Sequence, residues 1–343
     1  MVRSDKHSTR VKSTFDGRYC YAPAEAVTLH EQNGYGRVEK DGRLRLDLQE
    51  ALYLIARQKI EIPGYTFETF LAECSKIPGF LRNYIVYRDI RERGYVITSG
   101  PQDFRIFPRG QRPGKGNSRF LMRILSERDL VEFTEIIRDA KAAANMRKQF
   151  VLAVLDDEHE LTYYEIRQTA LQEKDKEKLS GGITAQLVGI PTCVMGDAVE
   201  PLVKNWFGTM LDISHLFLSP LETSWLMENG YLSLDTGMTA EAYRELAKSA
   251  DSEFEEKYRL YCYFKNLGMF PRSGYKYGHH FRVYTEYDAH SEMLAQAVPA
   301  GTENPMSEIS RSVRLAHSVK KRMLFASIGE EEIICIEFAR LKM

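Results

Sequence analysis

The chain has 343 residues, 47 Lys+Arg against 48 Asp+Glu, 43% hydrophobic residues and 11% aromatic ones. That length is enough for about two domains with proper cores, and the balanced charge and distributed aromatic residues argue against disorder. A formal charge of −1 excludes a protein coated in positive charge, so any nucleic-acid binding must come from local clusters. No apolar run reaches the roughly 18 residues of a membrane span, and MVRSDKHSTR opens no signal-peptide core, so no membrane association and a cytoplasmic protein are expected.

In chain order, a helical pattern near Leu46–Ile55 comes first, then a Tyr-rich helix over Tyr84–Arg93 that ends at Gly94. Strands follow, one carrying FRIF (Phe104 to Phe107), then a second helix that Thr134 is expected to N-cap, with Glu in its first turn. Two β runs, FVLAVL and ELTYYEI, close the first half around the acidic turn DDEHE (Asp156 to Glu160). The same order then recurs. LSPLETSWL from Leu218 answers LDLQEALYL from Leu46, and YRLYCYFKNLG from Tyr258 answers YIVYRDIRERG from Tyr84. FRVY (Phe281 to Tyr284) answers FRIF, a helix with Ser307 as its expected cap answers the one at Thr134, and MLFASI and EEIICIEF supply the closing runs. The offset runs from 172 to 177, one register held within a few residues, so the chain is a duplication. QTALQEKDKEKLSGG (Gln168 to Gly182) reads as the joint. The expected division is a unit over 1–168, a charged linker over 169–182 and a unit over 183–343 whose second domain begins at about 255. The fold class is α/β in mixed α+β modules. Each unit is a small N-terminal α/β part followed by an α/β domain with a mixed sheet.

The duplication allows one half to be read against the other. Tyr284 stands where the first half has Phe107, His290 where it has Asn117, and Lys321 is matched by Lys148. Tyr, His and Lys together suit metal-free cleavage of a phosphodiester. Histidine titrates near neutrality and can protonate a leaving oxygen, and lysine offers fixed positive charge to a phosphorane. Tyrosine can orient or deprotonate an attacking hydroxyl if cations lower its pKa. Against this, a strand-end tyrosine is ordinarily packing and an exposed histidine ordinarily idle. Basic clusters lie nearby: five Lys/Arg and no acid from Arg311 to Arg322, and six Lys/Arg and no acid from Phe104 to Arg123. They read as a phosphate surface or, for the shorter run, as a solvated helix end. The five cysteines and eight histidines form no metal-ligand spacing, so no metal and no cofactor are expected. Glu286 and Asp288 are the acids that a metal-dependent alternative would need. His279 and His280, if on a strand, would point to opposite faces. Asp156, Asp157 and Glu158 are either a solvated turn or a plug for a partner's basic groove.

These residues carry a resemblance. YRLYCYFKNLG, FRVY, AHSE, VRLAHSVKKRM and the terminal FARLKM, in that order and spacing, resemble the archaeal tRNA-splicing endonucleases, in the form with two fused units per chain acting as a homodimer. The resemblance implies a triad of Tyr284 as general base, His290 as general acid and Lys321 as transition-state stabiliser. It implies cleavage of precursor tRNA at bulge-helix-bulge junctions, leaving 2′,3′-cyclic phosphate and 5′-hydroxyl ends without metal. Arg314 and Arg340 match the arginines that sandwich a bulged base, the first unit becomes structural, and its acidic turn becomes the loop inserted into the partner subunit. The basic loop Arg105–Arg123 departs from the short connection expected there. The competing reading is a non-catalytic RNA-binding subunit of a splicing assembly.

Overall fold

The computed structural model describes residues 10–174, 179–286 and 290–343. Each half begins with a small domain. The first builds a four-stranded sheet from Thr14–Phe15, Cys20–Ala22, Leu44–Leu46 and Arg37–Val38, and the second a five-stranded sheet from Thr209–Asp212, His215–Leu218, Thr192–Met195, Ile183–Leu187 and Leu232–Leu234. Both carry one helix with the same N-terminal device: Leu48–Ala56 with Asp47 and Glu50, and Pro220–Glu228 with Ser219 and Glu222, each a reciprocal capping box. The glutamate is buried in both and does a second job. Glu50 Oε1 accepts the Gly36 N–H at 3.0 Å, and Glu222 Oε1 accepts the Gly208 N–H at 2.8 Å. Those glycines have φ of 61° and 69°, and an added Cβ would fall 2.5 Å from Arg45 O and 2.6 Å from Leu216 Cγ. Burial, with Asp47 beside it, pushes the Glu50 carboxyl up to about 7.

The second domains supply five strands each. In the first unit these are β1 (Val96–Ser99), β2 (Phe104–Phe107), β3 (Phe120–Ser126), β4 (Gln149–Leu155) and β5 (Leu161–Gln168). In the second they are β6 (Phe270–Ser273), β7 (Phe281–Tyr284), β8 (Met293–Pro299), β9 (Arg322–Ile328) and β10 (Ile333–Leu341). The helices are α1 (Phe80–Glu92) and α2 (Phe133–Asn145), repeated as α3 (Phe254–Asn266) and α4 (Met306–Ser318). The ten strands form one sheet in the order β6-β7-β8-β9-β10-β5-β4-β3-β2-β1. The order mirrors itself about an antiparallel seam of β5 and β10, from Tyr163↔Leu341 to Gln168↔Ile336. Two parallel pairs, β3 with β4 and β8 with β9, require crossovers, which α2 and α4 provide.

Alternation along the strands sends residues to two different cores. On one face α2 and α4 share a cluster that crosses the seam, with Phe133 of the first unit 5.1 Å from Phe325 and 6.1 Å from Phe338 of the second. On the other face α1 and α3 cover their own halves separately. Cys335, read from its apolar run as a small core residue, is buried in the second of these clusters. Gly94 and Gly268 follow the C-caps of α1 and α3 with φ of 86° and 71°, as the chain pattern requires.

Three local features differ from the expectations or add to them. Thr134 and Ser307 are not N-caps: α2 and α4 begin two residues earlier than such caps would allow, with Glu132 and Pro305 at the cap position and no side-chain cap. The reason is tertiary. Leu130–Glu132 and Glu303–Pro305 pair antiparallel across the seam and run straight into the helices, and the first amides of α4 at Met306 and Ser307 donate to Asp129 O and Glu127 O of the other half. Second, the start of the linker is bound. Thr169 N–H donates to Cys335 O, Leu171 packs on the second unit's core, and Lys174 N–H donates to Leu267 O. Third, His279 and His280 lie in the bend before β7 rather than on a strand. Both turn inward: His279 is 6% exposed, and His280 Nδ1 accepts the Ala297 N–H. Among the described residues no helix is long and apolar enough to cross a membrane.

Candidate active site

The sheet brings the sequence-distant residues to one end of three adjacent strands. Tyr284 closes β7, and the Glu292 N–H donates to Val283 O at 3.1 Å. Lys321 immediately precedes β9, and the Arg322 N–H donates to Glu292 O at 3.0 Å. The strand register, carried outward by a few residues, puts Tyr284, Glu292, Lys321 and Arg340 in a single cross-strand row. Such a row shares one face of the sheet. It is the α4 face, because Leu294, Met323 and Phe338, which alternate in phase with the row, belong to the core under α4. Strand spacing puts the backbones of β7 and β9 about 10 Å apart, within reach of two long side chains bent toward one phosphate.

Lys321 Nζ donates to Ser291 O at 2.5 Å, which fastens the ammonium beside the backbone of His290. His290 is exposed, and Tyr284 is half-buried. Its ring meets Trp206 of the second small domain edge-on, with centroids 4.6 Å apart, and the Arg282 guanidinium lies 5.7 Å from its centroid. A cavity of about 300 Å³ opens there, walled by Trp206, Gly208, Arg272, Arg282 and Tyr284 among others. Glu292 takes a hydrogen bond from the Thr285 hydroxyl, which steers its carboxylate back along the loop. Glu286 is exposed, and Asp288 lies outside the described residues.

Arg314 sits on the exposed side of α4, opposite the buried Ile309, Val313 and Ala316, about one turn before the helix ends and the chain turns to Lys321. Arg340 is exposed on β10. Neither guanidinium has an ion-pair partner among the described residues, so both are available as flat cations beside the row. The basic loop of the first unit is different. Arg109 donates to Arg93 O and stacks on Tyr95, Arg119 donates to Gln149, and Arg123 is paired with Glu135 and Asp139. Half of its six cations therefore hold the protein's own structure. The acidic residues cap the β4–β5 hairpin. Asp156 Oδ1 accepts from the Glu158 and Glu160 amides, Asp157 pairs with Arg128, and Glu158 projects from the tip, all exposed.

The first unit repeats the same frame without the chemistry. Lys148 Nζ donates to Ser118 O at 2.8 Å and Ser118 Oγ at 2.6 Å, over the same 30-residue separation as Lys321 to Ser291. Phe107 replaces the phenol and is 7% exposed. The repeat comparison alone passed over Trp206, Arg272 and Arg282. A signal existed: NWFG (Asn205 to Gly208) stands against NGYG (Asn33 to Gly36) in the first unit.

Comparison with known proteins agrees with this architecture. The family described as tRNA intron endonuclease, catalytic C-terminal domain, matches twice, over residues 80–163 and 254–335, and the tRNA intron endonuclease N-terminal domain matches residues 11–71. The chain is 36% identical over 337 residues to the tRNA-splicing endonuclease of Methanococcoides burtonii, covering 93% of this chain and 96% of that one. It is 35% identical over 352 residues to the tRNA-splicing endonuclease of Methanosarcina barkeri (97% and 100% covered), and 31% identical over 347 residues to that of Natronomonas pharaonis (95% and 98%). An α/β chain with a tandem repeat of one catalytic domain is thus an endoribonuclease of tRNA splicing. It belongs to the tRNA intron endonuclease family.

Proposed function

We propose that the enzyme cuts precursor tRNA at bulge-helix-bulge junctions by attack of the RNA's own 2′-hydroxyl, leaving a 2′,3′-cyclic phosphate and a 5′-hydroxyl. The observation that carries this reading is the convergence of Tyr284, His290 and Lys321 at one strand end, against Phe107, Asn117 and Lys148 at the repeated position. Tyr284 orients or accepts the 2′-proton, His290 returns a proton to the departing 5′-oxygen, and Lys321 opposes the charge that builds on the phosphorane. An internal nucleophile needs no recruited water and brings its own effective molarity. Arg314 and Arg340 would hold a bulged base between two flat cations, a contact open to any base. Unstacked bulges at a fixed separation are the kind of RNA feature a protein reads by shape. The test is cleavage of a short bulge-helix-bulge RNA in excess EDTA, with the product ends analysed. Cyclic phosphate at the 5′ fragment's end is expected, and a 3′-hydroxyl or loss of activity in chelator would sink the reading.

A homodimer follows from one site per chain meeting two bulges across a two-fold axis. A receiver for the acidic turn is available. A cleft of about 1230 Å³ separates the second small domain from β6, β7 and α3, with Lys257, Arg272 and Arg282 in its walls. Burial holds His279 and His280, also in those walls, below the usual histidine range; Lys257 is paired with Asp251 and Glu253 and Arg272 with Glu222, so among the described residues Arg282 is the wall cation without an ion pair. The turn of one chain entering the cleft of its partner would bring its carboxylates toward Arg282 and set register. Reversing Asp157 and Glu158 to Lys, with Asp156 kept because its carboxylate closes the turn, is expected to convert the dimer to monomer on gel filtration and to lower cleavage of a two-bulge substrate. A dimer unmoved by the reversal would remove the turn from the interface.

A further inference from the structure

The second small domain brings Trp206 to the end of the sheet where Tyr284 lies. It occupies the position after the C-cap of helix Val199–Lys204 with φ of 61°, a left-handed conformation unfavourable for a bulky L residue. That backbone is tied down. Arg272 Nη1 donates to Trp206 O and to Glu222 Oε1, both at 3.0 Å, and its Nη2 donates to Gly208 O at 2.6 Å. Glu222 in turn accepts the Gly208 N–H and the Ser219 N–H, each at 2.8 Å, and is buried. The capping glutamate, the β6 arginine and two loop carbonyls thus fix the turn, and the turn aims an indole at Tyr284 and Phe270, 4.6 and 5.5 Å away by centroid.

The first unit lacks each piece that this arrangement adds, while keeping the frame. Glu50 still accepts the Gly36 amide, but Gly34 stands at the place of Trp206, Thr98 at that of Arg272 and Phe107 at that of Tyr284. Even a Cβ is excluded at Gly34, where it would fall 2.8 Å from Val96 Cγ1 and 3.0 Å from Arg112 Cβ. Three substitutions separate the halves along one path, and the path ends on the phenol.

We propose that Trp206 is a positioning residue for Tyr284, an edge-on stop that holds the phenol in the orientation used on the 2′-hydroxyl, with Arg272 and Glu222 fixing the stop. This rests on the reading of Tyr284 given above. A half-buried ring at a strand end has free rotation about its side-chain bonds unless something blocks it, and a displacement of about 1 Å at a reacting group can lower a rate by 10²-fold. The role is indirect, so it is read in a double-mutant cycle.

Single-turnover cleavage of a bulge-helix-bulge RNA is measured for the full-length wild type, Trp206→Gly, Trp206→Phe, Tyr284→Phe and the Trp206→Gly/Tyr284→Phe double variant, with RNA affinity measured alongside. Trp206→Gly copies the first unit and suits the left-handed backbone. It is expected to lower the rate roughly 10- to 100-fold with affinity unchanged, and Trp206→Phe, which keeps a ring edge, to recover most of it. In the Tyr284→Phe background the loss is expected to vanish. An equal loss in both backgrounds, or none in the wild-type background, overturns the inference while leaving Tyr284's role intact. Tyr284→Phe cleaving at the wild-type rate overturns that role first, and the inference with it. If Trp206→Gly unfolds the small domain, Trp206→Leu keeps apolar bulk without the ring edge and carries the same expectations.

Discussion

His290→Ala is expected to slow single-turnover cleavage by roughly 10²- to 10⁴-fold, the range spanned by positioned acid–base groups, with RNA affinity and thermal stability unchanged. His290 is exposed on the loop between β7 and β8 and belongs to no core cluster, so its removal opens no cavity. The loss should therefore be chemical rather than structural. Its cause can be isolated at the leaving group. A substrate with sulfur bridging to the 5′ carbon departs as a weakly basic thiolate that needs no proton. On that substrate the variant is expected to cleave at nearly the wild-type rate. A loss of equal size with oxygen and sulfur would show that His290 acts elsewhere, on binding or on loop geometry.

Lys321→Ala is expected to cost roughly 10²- to 10³-fold in rate, the scale of removing a preorganised charge from a developing oxyanion. The competing account is that Lys321 only fastens a loop, since its ammonium donates to Ser291 O. The protein contains the control. Lys148 makes the same bond to Ser118 O where Asn117 and Phe107 stand in place of His290 and Tyr284. Lys321→Ala leaves the Ser291 carbonyl without its donor and Lys148→Ala leaves the Ser118 carbonyl and hydroxyl without theirs, so both variants should lose about 1–3 kcal/mol of stability. Only Lys321→Ala should lose cleavage. Chemical unfolding beside single-turnover kinetics separates the two effects, and equal kinetic losses at the two lysines would reduce Lys321 to a structural tie.

The comparison of halves also shows why this duplication can be read from one chain. Frame residues recur because each half must satisfy the same backbone: Glu50 and Glu222 close the same turn, Gly94 and Gly268 end the same helix, and Lys148 and Lys321 hold the same loop. The residues proposed to act on RNA at Tyr284 and His290 have no such reason to recur, and Phe107 against Tyr284 and Asn117 against His290 stand out as differences. The helix caps misled because Thr134 and Ser307 are good local caps whose place is taken by a strand pair from the other half. Local propensity counts for about 1 kcal/mol at a cap, and a pairing across the seam outweighs it.

The sequence by itself determined the duplication, the α/β class, the order of elements in each half and the separate residues that the proposed chemistry needs. Each of these is written in a short-range pattern: strand alternation, helical period, glycine after a helix, one repeated register. Only the tertiary structure decided that the two sheets fuse through β5 and β10, that α2 and α4 share one core, and that Trp206 is brought onto Tyr284 from another domain. Those outcomes depend on which surfaces meet after the chain has crossed 78 residues, for Trp206 and Tyr284, or well over a hundred, for the seam and the shared core. Pairing at that distance is chosen by the total apolar area and hydrogen bonding it satisfies, not by any local signal.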